Sequence, residues 1–420
     1  MRQSPAPALL RPFVMNHRAV PAALVLLLLT VACAGCASHS LEQRLTAAGP
    51  AVSALHEGSF DRAGREADAQ IGADSANPVA RLVRAIVRYK RSMHQASLDV
   101  RTVVIGGIGA GAFNHKYLRA SLEQTESDLA GVEDDLAAAA TDPAIAIELC
   151  IACWEIDWNG NGRIDEGDRL LFQIERDADD HPLPDDDPRR KPTFRFDAGD
   201  VAWARAFVSF QRALIDVVLA YDWSDLDHLL HGDSESRDRI VLRLAHPDRI
   251  AQARQRLLEG LDRSNESRIA YLAETDDDRE WVPNPRQKSH PMPLPVDQAL
   301  YDTWAAMVGD LRRLVRGEEG LAAADLVKLG EERPDRVPKG YIDVGGMLAH
   351  PHDIVLTSRD VEALDRGRDT EAMMSALLGD HYVPSMRPSP LPGRLASMKG
   401  EIEGREEGLE RKLRYLFWLN

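Results

Sequence analysis

The chain reads as a mainly α protein, an array of helical hairpins with one oxygen-rich loop set between two helices. Three observations lead there. Apolar residues recur at helical spacing over long stretches. Strand-like alternation is confined to short pieces such as Thr193-Phe194-Arg195-Phe196. One twelve-residue segment, Asp157 to Asp168, D-W-N-G-N-G-R-I-D-E-G-D, places Asp or Asn at alternate positions around two glycines.

The chain begins with a targeting segment. Leu24 to Val31 is apolar, flanked by His17 and Arg18, and runs into Ala32-Cys33-Ala34-Gly35-Cys36. It is too short to cross a bilayer and ends in small residues, the pattern of a secretory signal. Met15, followed by Asn16-His17-Arg18, starts such a signal more typically than Met1. Ala34-Gly35-Cys36 resembles the lipobox of bacterial lipoproteins. That resemblance implies a signal over 1–36, a mature chain from Cys36, and a lipid on Cys36, with Cys33 as second choice. Ala37 and Ser38 follow, with no Asp, which favours an outer-membrane anchor facing the periplasm; surface display stays open. The alternative is an ordinary cleaved signal and a free periplasmic protein.

Three further regions follow: a helical segment over 41–115, a helical domain over 116–282 and a mainly helical C-terminal region over 296–420. Residues 41–92 carry helical periodicity broken at Asn77-Pro78. Gly58-Ser59-Phe60-Asp61-Arg62-Ala63 resembles the turn of a tetratricopeptide helix pair, so the first region is expected to be TPR-like; a generic helical hairpin fits equally. Ser121 to Ala140 is an Ala-rich helix. Val201 to Tyr221 is an apolar-rich helix with Asp197 or Asp200 as its cap. Asp297 caps an amphipathic helix to Arg316, and Thr357 is read as the cap of another. Arg394 to Leu419 is a final helix with Leu395, Met398, Ile402, Leu409, Leu413 and Leu416 on one face. Its apolar end closes the core or anchors a partner. Asp177–Pro192, Pro283–Pro295 and Pro384–Gly393 are connectors.

The loop carries the chemistry. Calcium takes six to eight oxygens at about 2.3–2.6 Å, and alternate residues of a tight loop converge on one point. Asp157, Asn159 and Asn161 stand at loop positions 1, 3 and 5, Gly162 at the sharp turn, Arg163 offers its backbone carbonyl at position 7, Asp165 stands at 9 and Asp168 at 12. Ile164 at position 8 is apolar and points away from an ion. This is the pattern of an EF-hand-type calcium loop. It also resembles the loop–helix of dockerin modules, which close with Asp and run into an apolar helix, here Arg169 to Ile174. Dockerins carry two such repeats; this chain has one, so cohesin-type docking does not follow. Asp at position 12 is one methylene shorter than the common Glu. The affinity expected is therefore about 10⁻⁶ to 10⁻⁴ M, with magnesium as a competitor. The strand expected at Ile164 lacks its usual partner, and Thr193–Phe196 is the candidate to pair with it.

Cys150 and Cys153 precede the loop. In an oxidising periplasm they are spaced for a disulfide, or they serve as two small buried residues; Trp154 stands where haem attachment needs His. Net charge is −16, from 67 acidic against 51 basic residues, and no basic stripe interleaves with aromatics, so nucleic acid is not an expected partner. Two decoys stand out. Gly107-x-Gly109-x-x-Ala112 has the form of a dinucleotide fingerprint but no second strand ending in an acid follows. His350-x-His352 has the form of a zinc pair but no third ligand has readable spacing. Two function classes remain. One is a calcium-binding, lipid-anchored binding or scaffold protein whose partners are other envelope proteins and the membrane through Cys36. The alternative is a periplasmic enzyme using Asp225, His228, His231 or His352.

Overall fold

The computed structural model describes residues 41–404 except 104–113, 159, 166–167, 169–173, 178–180, 226–238, 278, 289–295, 326–336 and 358–369. The signal with Cys36, the Gly107–Ala112 fingerprint, Asn159, His228, His231, most of the Arg169–Ile174 helix and the end of the C-terminal helix therefore lie outside the described residues. The chain divides into two compact units, Met1–Ala47 and Ala48–Asn420. Helix α1 (Leu41–Ala48) holds the described residues of the first.

The second unit is mainly helical. Helices α2 (Pro50–His56), α3 (Phe60–Ala73) and α4 (Pro78–Val100) follow in short steps. Gly58 turns the chain between α2 and α3 at φ +76°, where a side chain would be strained and would also meet the Trp154 backbone at 3.3 Å. The break at Asn77-Pro78 has two causes. Asn77 accepts the Ala80 N–H (2.9 Å) as N-cap, and Pro78 sits at the first helical position, where its missing N–H costs nothing. Helix α5 (His115–Ala139) packs along α4, capped by the Asn114 side chain.

Helix α6 (Ala198–Leu219) and α7 (Pro247–Ala273) form the most extensive helix pair among the described residues. Two glycines allow their close approach. A Cβ on Gly260 would lie 2.5 Å from the Phe210 ring, and one on Gly199 would lie 2.8 Å from the Tyr271 ring. Asp197 caps α6 in a capping box with Asp200: each side chain accepts a backbone N–H of the other's turn. The α5–α6–α7 junction is also charged. Arg212 bridges Glu126 and Glu133, Arg263 reaches Glu133, and Arg249 and Arg256 both hold the fully buried Asp216. On α4, Arg81, Arg84 and Arg88 converge on buried Asp135 of α5, and hold its carboxyl below the usual range although burial pushes the other way.

Short strands bracket this body. β1 (Ala146–Leu149) pairs antiparallel with β2 (Phe194–Asp197), Ile147 opposite Phe196. So Thr193–Phe196 does contain a strand, but its partner is Ala146–Leu149 and not the segment at Ile164. The reason is burial: Ile147, Leu149, Phe194 and Phe196 all reach the core, where Trp281 packs edge-on to Phe194 at 5.2 Å. β3 (Tyr221–Asp222), β4 (Arg239–Leu244) and β7 (Ile354–Thr357) form a second sheet. β5 (Leu321–Ala322), β6 (Tyr341–Ile342) and β8 (Tyr382–Val383) form a third. Thr357, read as a helix cap, is the last residue of β7, and the helix expected after it lies outside the described residues. The run Ile354-Val355-Leu356-Thr357 is rich in β-branched residues and finds a partner strand in β4. Helix α8 (Gln298–Arg316) is capped by Asp297 as read from sequence, and Gly317 ends it at φ +77°. Helices α9 (Val344–Ala349), α10 (Thr370–Leu378) and α11 (Leu391–Gly404) complete the described chain.

Candidate metal centre

The oxygen-rich loop is seated on α4. Before it, Cys150 and Cys153 form a disulfide within a 3₁₀ turn, and Cys150 is buried. Trp154 then anchors the chain. Its indole N–H donates to the Leu55 carbonyl at 2.7 Å, its ring meets Phe60 edge-on, and the Lys90 ammonium lies 5.7 Å from the ring centroid. Lys90 is buried, which pulls its pKa down to about 8. The last turns of α4 hold the loop itself. His94 Nε2 lies 2.8 Å from the Asp157 carbonyl, its ring stands edge-on to Trp158, and Leu98 faces Gly160.

Inside the loop the carboxylates face backbone N–H groups. Asp157 Oδ1 accepts from Asn161 N (3.0 Å) and its Oδ2 from Gly162 N (2.6 Å). Asp168 Oδ1 accepts from Trp158 N (2.9 Å) and Oδ2 from Asp165 N (3.1 Å), so the last residue of the loop is tied back to its start. Asn161 Oδ1 accepts from Arg163 N and its amide donates to Asp165 Oδ2. Gly160 and Gly162 take φ +66° and +80°, the left-handed region that glycine enters freely. Asp168 is buried, while Asn161, Gly162, Arg163 and Asp165 are exposed. Five of the six expected ligand residues, Asp157, Asn161, Arg163, Asp165 and Asp168, thus lie in one closed turn; Asn159 is outside the described residues. Each hydrogen-bonded oxygen retains lone-pair capacity for a cation. The contribution of α4 was not readable from the sequence, because His94 and Leu98 stand some 60 residues upstream with ordinary helical spacing.

A second acidic centre was also missed. Asp197, Glu274 and Glu280 bring carboxylate oxygens within 4.8 Å of one another, a spacing that could hold a metal ion. Asp200 lies beside them. Arg195 is the local counter-charge: its Nη1 lies 3.2 Å from Asp197, 3.0 Å from Asp276 and 3.5 Å from Glu280. Burial and mutual repulsion dominate here. Asp200, fully buried, is pushed up to about 8, first by desolvation and then by Asp197, although the Tyr271 hydroxyl donates to it at 2.7 Å. Glu274 is pushed up to about 9 by desolvation, Asp197 and Asp200. Asp197 is raised too, mainly by burial. Burial and mutual repulsion thus favour the protonated forms of Asp200 and Glu274. Asp197 and Asp200 were visible as caps, but Glu274 reaches them through the α6–α7 pairing and Glu280 through a bridge to Arg195 of β2.

The remaining candidates are engaged otherwise. His352 Nδ1 faces the Asp353 carbonyl (2.7 Å) and Nε2 the Leu378 carbonyl (3.3 Å), and the ring stacks on His381 at 4.9 Å. Asp225 accepts the Val241 N–H. No known protein family matches the chain, and neither do the curated proteins or solved structures with which it was compared.

Proposed function

We propose that this is a calcium-binding, lipid-anchored envelope protein whose helical body serves as a binding or scaffold module, with calcium chiefly structural. The observation that carries the reading is the closed turn from Asp157 to Asp168. Both end carboxylates are held by backbone N–H groups of the turn, which gathers the residues a cation would need into one short segment. Ion binding at such a site stabilises the folded chain by RT ln(1 + [L]/Kd), about 2.7 kcal/mol when the free ion is at one hundred times Kd. Because the loop is held by His94 and Leu98, that stabilisation falls on the packing of the loop against α4. A single loop on a fixed platform suits a constant structural ion better than a switch, which needs a paired element free to move. The anchor is Cys36, the compartment the periplasmic face of the outer membrane, and the partners other envelope proteins.

Calorimetric titration of calcium into the metal-stripped mature chain tests the site. One-site binding in the micromolar range, with a raised melting temperature and both effects lost in Asp157→Ala, is expected. Absence of binding overturns the calcium reading. Lipid labelling of cells expressing the full chain, compared with Cys36→Ser, tests the anchor independently.

A further inference from the structure

A cavity of about 240 Å³ opens where the starts of α5 and α7 meet the end of α6. It is lined by His115, Lys116 and Arg119 from the first turns of α5, Asp222 and Trp223 from the turn after α6, and Ala245 and His246 before α7. In a chain of net charge −16 this grouping of two cations and two imidazoles against one carboxylate is out of character. We propose that the cavity is a binding site for a small phosphate-bearing ligand.

The frame is built from backbone. Arg119 Nη1 and Nη2 donate to the carbonyls of Tyr221 (3.0 Å) and Leu219 (2.9 Å), and Ala245 N and His246 N both donate to the Ala220 carbonyl at 2.9 Å. These bonds cover the carbonyl end of α6, whose negative pole would otherwise repel an anion. They also fix the entry of α7 against the start of α5. The exposed side chains of Lys116 and His246 make no hydrogen bond or ion pair to any described residue, and His246, the N-cap of α7, leaves that helix start without a side-chain cap. Donors and positive charge therefore face the cavity while the acceptors around it are used. Asp222 is the opposing charge. Its carboxyl accepts the Ser224 N–H and is held below the usual range, first by that bond and further by His115 and Arg119, so part of their charge is spent on it. Lys116 and His246 are what remain for a ligand.

Size and shape narrow the class. The share of one water in the liquid is about 30 Å³, so the cavity takes several waters or one compact anion with a small organic group. It is below the ~300 Å³ at which pockets for drug-sized ligands begin. The lining donors come from two separate elements, the start of α5 and the entry of α7, which suits an oxyanion with several acceptor oxygens. Trp223 offers an apolar wall for the group that carries the phosphate. The site shares no residue with the Asp157–Asp168 loop and does not depend on calcium.

The test titrates inorganic phosphate, then phenyl phosphate and glycerol phosphate, into the calcium-free mature chain at constant ionic strength, with chloride as control. Saturable one-site binding of phosphate is expected, weakened roughly tenfold in Lys116→Gln and in His246→Gln while both variants melt as the parent does. Tighter binding of phenyl phosphate than of inorganic phosphate, reduced in Trp223→Ala, identifies an esterified phosphate as the ligand class; equal binding identifies the free ion. No saturation with any probe overturns the proposal. So does binding that both variants leave intact, because the anion then sits elsewhere. If the variants lose stability, Lys116→Arg separates the cases: a site role is rescued by the retained charge.

Discussion

The Asp157–Asp168 loop and the centre at Asp197, Asp200, Glu274 and Glu280 are both made of carboxylates, yet they settle their charge differently. In the loop the carboxylates lie within one short turn, much of it exposed, and each of Asp157 and Asp168 accepts two backbone N–H groups. The second centre is gathered around the start of α6 and the end of α7, partly to fully buried, with Arg195 as its near cation, and burial favours its protonated form. A carboxylate therefore does not announce a metal site by its type. What distinguishes the two is whether the fold supplies hydrogen-bond donors at regular spacing or removes water faster than it supplies donors.

The largest effect that would break this contrast is a pH dependence. Asp200 and Glu274 have folded-state pKa values raised above the ordinary carboxylate range. The folded chain keeps protons that the unfolded chain releases from about pH 4 upward, so stability is full below that point and falls as pH rises toward the folded values. For Asp200 alone the loss between pH 4 and pH 7 is on the order of 3 kcal/mol. Thermal melts from pH 5 to pH 9 should show a progressive fall, and Asp200→Asn with Glu274→Gln should flatten it. A pH-independent profile in the parent would mean that a cation neutralises the centre, and the two sites would then be alike.

Calcium supplies the next effect. Millimolar calcium should raise the melting temperature by an amount matching about 2–3 kcal/mol, given a Kd near 10⁻⁵ M. Asp157→Ala should abolish that rise without altering the pH profile of the buried centre. If the variant changes both, the two sites are coupled and must be treated as one.

Much of the helical framework was legible. The Asn77-Pro78 break, the Asp297 cap and the Asp197–Asp200 start of α6 each follow from local chemistry, where one residue satisfies a backbone group three positions away. The turn from Asp157 to Asp168 was legible for the same reason, since its Asp and Asn residues recur within twelve residues. What was not legible depends on distant partners. β2 pairs with Ala146–Leu149 because two apolar faces meet there, and Thr357 lies in a strand because β4 stands beside it. The buried acidic centre requires Gly199 and Gly260 to let α6 and α7 close on each other, which no local pattern states.

A smaller effect probes the seat of the loop. At Gly160 a Cβ would lie 2.7 Å from Leu98 Cδ2 and would have to adopt φ +66°. Gly160→Ala should cost about 1–2 kcal/mol and lower calcium affinity, because the turn must shift away from α4 to relieve the contact. Gly72→Ala is the control, since nothing lies within 4 Å of a Cβ there and the residue is within α3. A normal melting temperature and affinity in Gly160→Ala would mean that the loop does not depend on its platform.

The smallest effect concerns the closing residue. Asp168 reaches two N–H groups, Trp158 N and Asp165 N, at 2.9 and 3.1 Å, so its short side chain is already extended across the turn. Asp168→Glu adds one methylene, enough for both oxygens to approach a central ion of calcium's size, which takes oxygens at about 2.3–2.6 Å. Calcium affinity should rise by up to about tenfold, equivalent to 1.4 kcal/mol. Magnesium, which demands closer octahedral oxygens, should compete less. The extra methylene also has to fit a buried position, so the gain appears only if Asp168 closes on an ion. If it serves mainly as a clasp for Trp158 and Asp165, the longer side chain lowers stability in the absence of metal and leaves affinity unimproved. Calorimetry with calcium and with magnesium on the same variant separates these outcomes.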